Sequence, residues 1–280
     1  MTTQAQTPVD QRAYWNEEGG RRWSGNIEQV ERQIQDVSNV MLRNAAAKRG
    51  EAVLDVGCGG GMTSKQLADA VGASGHVLGV DVSEVILEIA RRRFDTVNNL
   101  AFELGDAEQM SLTPKTYDLI ASRFGVMFFH DPVTAFRNLR SALKDDGRLC
   151  FICWQAMKEN PWMAMPAAAV FEIIAPPPPP DPEAPGPFAF ANPDRLQYIL
   201  DSAGFSNIDL EPLVKDVDLG PVDRAVEFLT SMGPAAVLLQ EASPDERAAA
   251  LEAVTTVLQS YATSEGTKMP SATWIVTATA

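Results

Sequence analysis

Between residues 51 and 154 the chain alternates short apolar runs with amphipathic segments five times. The apolar runs are Val53–Val56, His76–Val80, Leu100–Leu104, Tyr117–Ser122 and Arg148–Trp154. Between them the spacing predicts helices near 63–71, 83–94, 107–112 and 131–144. Asp131-Pro132 marks the last of these clearly, with a cap residue followed by proline at the first helical position. Such alternation predicts a parallel sheet with right-handed crossovers and helices on both faces. Upstream, Ile27, Val30, Ile34, Val37 and Met41 recur at steps of three and four, one apolar face of a single helix that Lys48-Arg49-Gly50 should end.

Past Trp154 the pattern changes. Met157–Ile174 is apolar and helix-compatible, interrupted by Pro161 and Pro166. Eight of the twelve residues from Pro176 to Pro187 are proline, which favours extended geometry in a spacer, a lid or a partner-binding segment. Asn192-Pro193 opens another helix that Gly204 ends, and a strand runs from Phe205 to about Val217. Two helices follow, near 222–241 and 244–262, the second opening on the capping-box spacing Ser243-Pro244-Asp245-Glu246. A last strand covers Thr273–Thr279. The expected organisation is one domain over 1–280: an N-terminal helical lid (1–50), a core (51–154), a proline-rich loop or lid (155–192), and a C-terminal part (193–280) whose residues near 222–262 form a helical cap.

The chemistry clusters at strand ends, where open α/β sheets bind ligands. The first strand ends in Asp55-Val56-Gly57-Cys58-Gly59-Gly60-Gly61, and a glycine turn before a helix lets backbone approach a nucleotide-like ligand. The dinucleotide fingerprint does not fit, because the sixth position counted from Gly57 is Met62. A carboxylate at Asp55, ending a buried strand, is costly without partners. The second strand ends in Asp81-Val82-Ser83, the third in Asp106-Ala107-Glu108, and the fourth in Arg123 and the run Phe124–Phe129. Asp81 taken alone could merely precede a helix capped by Ser83, and Asp106 could be an ordinary loop aspartate.

Together these residues resemble the class I S-adenosylmethionine (SAM)-dependent methyltransferases, and Phe151-Ile152-Cys153-Trp154, Asn160-Pro161-Trp162 and Phe188-Ala189-Phe190 resemble their bacterial branch related to ubiquinone and menaquinone biosynthesis. The resemblance is specific over about 50–155. It implies a doubly wound, seven-stranded, mostly parallel Rossmann-like α/β sheet whose final strand inserts antiparallel between the fifth and sixth. It also implies that glycines Gly57, Gly59 and Gly61 admit the methionine end of the cofactor. Asp81 would then take the ribose hydroxyls and Asp106 the adenine amino group. Asp55, Cys58, Val82, Ser83, Ala107, Glu108 and Arg123 complete the expected cofactor shell. An N-terminal segment carrying Tyr14, Trp15 and Trp23 should fold over it.

Composition narrows the acceptor. A formal charge of −14 argues against a nucleic-acid partner, which calls for clustered Lys and Arg. The one basic run, Arg91-Arg92-Arg93, suits a helix C-terminus. The N-terminus carries no secretory pattern and no stretch is long enough to span a membrane, so a cytoplasmic location is expected. Cys150 and Cys153 fall on opposite faces of a strand, and only two histidines occur, so no metal site is expected. Phe124, Met127, Phe128, Trp154 and Trp162 lie where an acceptor should sit, suiting a small aromatic or apolar molecule and O- or C-methylation. Methyl transfer chiefly needs positioning; His130 and Tyr14 are the candidate bases if a proton must leave. A non-catalytic SAM-binding sensor or scaffold and a nucleotide-dependent oxidoreductase are the alternatives. A homodimer is compatible with all of these.

Overall fold

The computed structural model describes residues 10–280. The first nine residues of the expected lid lie outside that range. The chain opens with α1 (Gln11–Asn16), α2 (Glu18–Gly25), α3 (Ile27–Gln33) and α4 (Gln35–Ala45). The core follows as β1 (Ala52–Val56), α5 (Met62–Val71), β2 (His76–Asp81), α6 (Glu84–Arg93), β3 (Leu100–Leu104), β4 (Tyr117–Arg123), α7 (Pro132–Ala142) and β5 (Leu143–Trp154). Then come α8 (Pro161–Phe171), α9 (Pro193–Ala203), β6 (Ser206–Gly220), α10 (Val222–Ser231), α11 (Gly233–Glu241), α12 (Pro244–Gln259), β7 (Ala262–Thr263) and β8 (Gly266–Thr279).

The sheet order is β3-β2-β1-β4-β5-β8-β6, parallel through β5, with β8 antiparallel between β5 and β6. The expected seven-stranded path is present, and two-residue β7 adds a short pairing to β8. All five residues of β1 are buried, as a central parallel strand covered on both faces requires. Local signals hold at four helix starts: Ser83 caps α6, Asp131 caps α7, Asn192 caps α9, and Ser243 with Glu246 forms the capping box of α12. Gly204 ends α9 in the left-handed region.

Several boundaries differ from the sequence expectation. The single helix over Ile27–Met41 is two, broken at Ile34, although Ile27, Val30, Ile34, Val37 and Met41 are all buried. α4 stops at Ala45, not at Gly50, because Arg148 of β5 donates to the carbonyls of Ala45 (2.8 Å) and Ala46 (2.7 Å). The Arg148 guanidinium is held in turn by Glu51 at 2.9 Å. Residues 107–112 form no helix: Asn138 of α7 donates to the carbonyls of Ala107 and Met110, which a helix would use itself. The helix expected over 222–241 is split into α10 and α11 at extended Met232, before Gly233-Pro234. β5, β6 and β8 are each longer than their apolar runs.

That last difference shapes the molecule. β5 ends at Trp154, opposite Thr273, while β6 and β8 continue as a two-stranded ribbon from Thr273 back to Gly266 and on to Gly220. α8 packs on α12 and β8, and α10 packs on α12 and β6, so these helices gather on the β6–β8 ribbon. α2 packs on α6, and α3 and α4 on β6. Cys58, Cys150 and Cys153 are buried and unpaired, and burial pushes the Cys150 thiol up to about 12. Among the described residues no helix is long and apolar enough to cross a membrane.

Candidate functional site

Gly57, at φ +65°, turns the chain off β1, and its N–H donates to Val80 O at 2.8 Å. A Cβ there would stand 2.6 Å from the Cα of Gly125, so the turns after β1 and β4 touch through bare backbone. Gly59, at φ +54°, differs: a Cβ on it would meet only the Trp23 indole nitrogen, at 3.9 Å. Its N–H donates to Asp81 Oδ2 at 2.9 Å, while Asp81 Oδ1 accepts from Ser83 N at 3.0 Å. Burial raises the Asp81 pKa against the pull of these N–H bonds.

Asp55 is fully buried beneath this turn. Its Oδ2 accepts from the Ser64 hydroxyl at 2.6 Å, and its Oδ1 has no partner. Burial raises its pKa to about 7, opposed by the Ser64 bond and by the Arg123 charge. Arg123 donates to Ser38 Oγ at 3.3 Å; burial lowers its pKa while Glu31 and Asp55 support its charge. An orphaned carboxylate oxygen, a half-buried cation and an open face at Gly59 suit a ligand carrying ammonium and carboxylate groups.

The N-terminal helices close over the ends of β2 and β4. Asn16 donates to Val82 O at 2.8 Å and accepts from Glu84 N at 3.0 Å, and Ser83 donates to Trp15 O at 2.6 Å. Trp15 makes edge contacts with Tyr14, Trp23 and Phe128 at centroid distances of 5.3, 5.9 and 5.2 Å. From α3, Glu31 pairs with both terminal nitrogens of Arg93 at 2.8 Å, and Arg93 also donates to Gly60 O at 3.0 Å. The basic run therefore does more than meet a helix end: its last member ties α3 to the glycine turn. Sequence reading missed Asn16 and Glu31, whose partners lie 66 and 62 residues away.

At the third strand, Asp106 Oδ1 accepts from Glu108 N at 2.9 Å, and Ala107 is buried. Glu108 accepts from the backbone N–H groups of His130 (2.8 Å) and Asp131 (3.2 Å), bracing the loop after β4. His130 itself is exposed, as is Tyr14, and neither joins the buried aromatic groups at β5. There Phe124, at φ +63°, stacks on Trp154 at 4.2 Å and 12°, and Trp154 meets Trp162 at 5.4 Å and 54°. Met127 is 2% exposed and serves as core, its carbonyl accepting from Gly186 N at 3.1 Å. Asn160, also missed from sequence, is wholly buried and bonds Gln155 O, Ala156 O, Ala272 O and Ala272 N.

Comparison with known proteins agrees with this arrangement. A family described as a methyltransferase domain matches residues 47–204. An uncharacterized 37.1 kDa protein in transposon TN4556 of Streptomyces fradiae is 37% identical over 111 residues, covering 40% of this chain and 32% of that protein. The demethylmenaquinone methyltransferase of Staphylococcus saprophyticus is 26% identical over 178 residues, 60% of this chain and 76% of its own. The structure of Haemonchus contortus phosphoethanolamine N-methyltransferase 2 with S-adenosyl-L-methionine superposes with a TM-score of 0.60 at 16% identity, covering 97% of this chain and 60% of that one. With the fold, the strand-end carboxylates and the family match in agreement, the chain belongs to the methyltransferase domain family and is a class I SAM-dependent methyltransferase.

Proposed function

We propose that the methyl acceptor is a small aromatic or otherwise apolar molecule, methylated on oxygen or carbon. The observation that carries this is the Phe124–Trp154 stack, with Trp162 tilted against it, at the carboxyl ends of β4 and β5, beside Gly125 and hence beside the glycine turn. Flat rings of this kind favour a flat apolar partner. The demethylmenaquinone methyltransferases that the chain resembles are named for an acceptor with such a ring system.

In this reading Gly57, Cys58, Gly59 and Gly61 form the cofactor's cradle, with Asp55 and Arg123 facing its amino-acid end. Asp81, with Val82 and Ser83, would hold the ribose, and Asp106, with Ala107 and Glu108, the adenine. When bound, S-adenosyl-L-methionine supplies a methyl group on a sulfonium and a good leaving group. The chain's own contribution is to align the acceptor and exclude water. Trp15, Trp23 and Phe128 close one side as a lid, the segment 155–192 and the cap close the other, and 1–280 acts as one domain. His130 and Tyr14, on the rim, are the bases proposed for an acceptor that must lose a proton. A screen of phenols, quinols and amines with methyl-labelled SAM tests this: label should enter phenols or quinols. Transfer to amines alone would sink the reading.

A further inference from the structure

Trp162 is 8% exposed, yet its indole N–H has no hydrogen-bond partner. A buried tryptophan N–H ordinarily finds one, since leaving it unpaired in a low-dielectric interior is costly. The same protein satisfies another indole: Trp274 donates to Ala191 O at 3.1 Å. Nor is Trp162 free to swing toward solvent. Two residues earlier, the buried Asn160 side chain fixes the start of α8 to Ala272 of β8 through both its donor and its acceptor. On its other side the ring packs against Trp154, itself stacked on Phe124. Phe124 is kept in the left-handed region, its N–H donating to Ile152 O at 3.1 Å. Such a conformation in a bulky residue is uncommon and persists where surrounding structure enforces it.

We propose that the Trp162 indole N–H is the polar anchor of the acceptor subsite, donating to an oxygen on an aromatic acceptor whose ring lies against the Phe124–Trp154 stack. This rests on the aromatic-acceptor reading above and extends it. An indole N–H only donates, so the group it holds must accept: a carbonyl, phenolic or ether oxygen, not an ammonium. A donor bonded to the attacking atom would withdraw electron density from it and lower its nucleophilicity toward the methyl carbon. The anchored oxygen is therefore one other than the reacting atom. Trp162 is thus a specificity-determining residue, and the acceptor class is an oxygen-bearing aromatic molecule.

The test compares α-tetralone with tetralin, which share a ring system and differ in the carbonyl oxygen. Each is titrated by calorimetry into the full-length protein saturated with S-adenosylhomocysteine. The wild type should bind the ketone about 3- to 10-fold more tightly, the range for one neutral hydrogen bond. Trp162→Phe, which keeps an aromatic ring and removes the donor, should bind S-adenosylhomocysteine normally and both probes alike. A ketone preference that survives in Trp162→Phe overturns the anchor and leaves the aromatic-acceptor reading standing. A wild type with no affinity for either probe overturns both. An independent readout needs no variant: in nitrogen-labelled wild type, one indole N–H resonance should move downfield with the ketone and stay put with tetralin. No such movement also overturns the anchor.

Discussion

At the ends of β1 and β2 the polar groups are bonded into a single knot of main chain, in which Gly57, Gly59 and Ser83 all donate within reach of Asp81 or Val80. At the ends of β4 and β5 the chain instead brings rings together, with Trp154 in contact with both Phe124 and Trp162. Buried polar atoms without a partner occur in both halves, Asp55 Oδ1 among them in the first and the Trp162 indole nitrogen in the second. The first half uses charge and backbone geometry, suited to a ligand with fixed charged ends. On the proposed assignment, the second offers ring faces and one donor to a ligand chosen by its ring. The difference teaches that one sheet edge can carry two unlike surfaces, one of backbone donors and carboxylates and one of aromatic rings.

The sharpest way to probe the charged half is pH. Asp55 has a folded pKa of about 7 against an ordinary 3.8. Between those values the folded state keeps a proton that the unfolded chain has lost, so stability falls as pH rises through that window. At about 1.4 kcal/mol per unit the full loss is of the order of 4 kcal/mol. Denaturant titrations of ligand-free protein should show that fall, and Asp55→Asn should remove most of it. An unchanged pH dependence in Asp55→Asn would remove the carboxylate from the account.

Asp81→Ala comes next: S-adenosylhomocysteine affinity should drop at least about 100-fold, near 3 kcal/mol, through loss of charge-assisted bonds. The circular dichroism spectrum should stay native. Wild-type affinity by calorimetry would sink the ribose assignment. The smallest effect separates the halves. Asn160→Ala should cost about 2 kcal/mol of stability, because buried carbonyls and an N–H lose their partner. Cofactor affinity should be unaffected by it. If affinity fell together with stability, the two halves would not be the independent structures described above.

Much of the cofactor half was legible in sequence, for a physical reason. A strand followed by a glycine turn and a helix start is local, and the capping signals at Ser83, Asp131, Asn192 and Ser243 act within a few residues. The acidic strand ends could be counted off the same alternation. Less legible was what each polar group would bond. Asp81 was expected to face a ligand, and in the structure it also stitches Gly59 to Ser83. Met127 was expected in the pocket and is core.

The sequence by itself determined the order of strands and helices, the glycine turn and the carboxylates at the strand ends, because periodicity and capping are short-range. Tertiary structure alone decided where α4 ends, why 107–112 is no helix, and how α3 is tied to the glycine turn. Those depend on Arg148, Asn138 and Arg93, each reaching partners far away in the chain. It also decided which buried groups stay unpaired, Asp55 Oδ1 and the Trp162 N–H among them. A hydrogen bond exists only when donor and acceptor meet in space, and chain order does not encode that meeting.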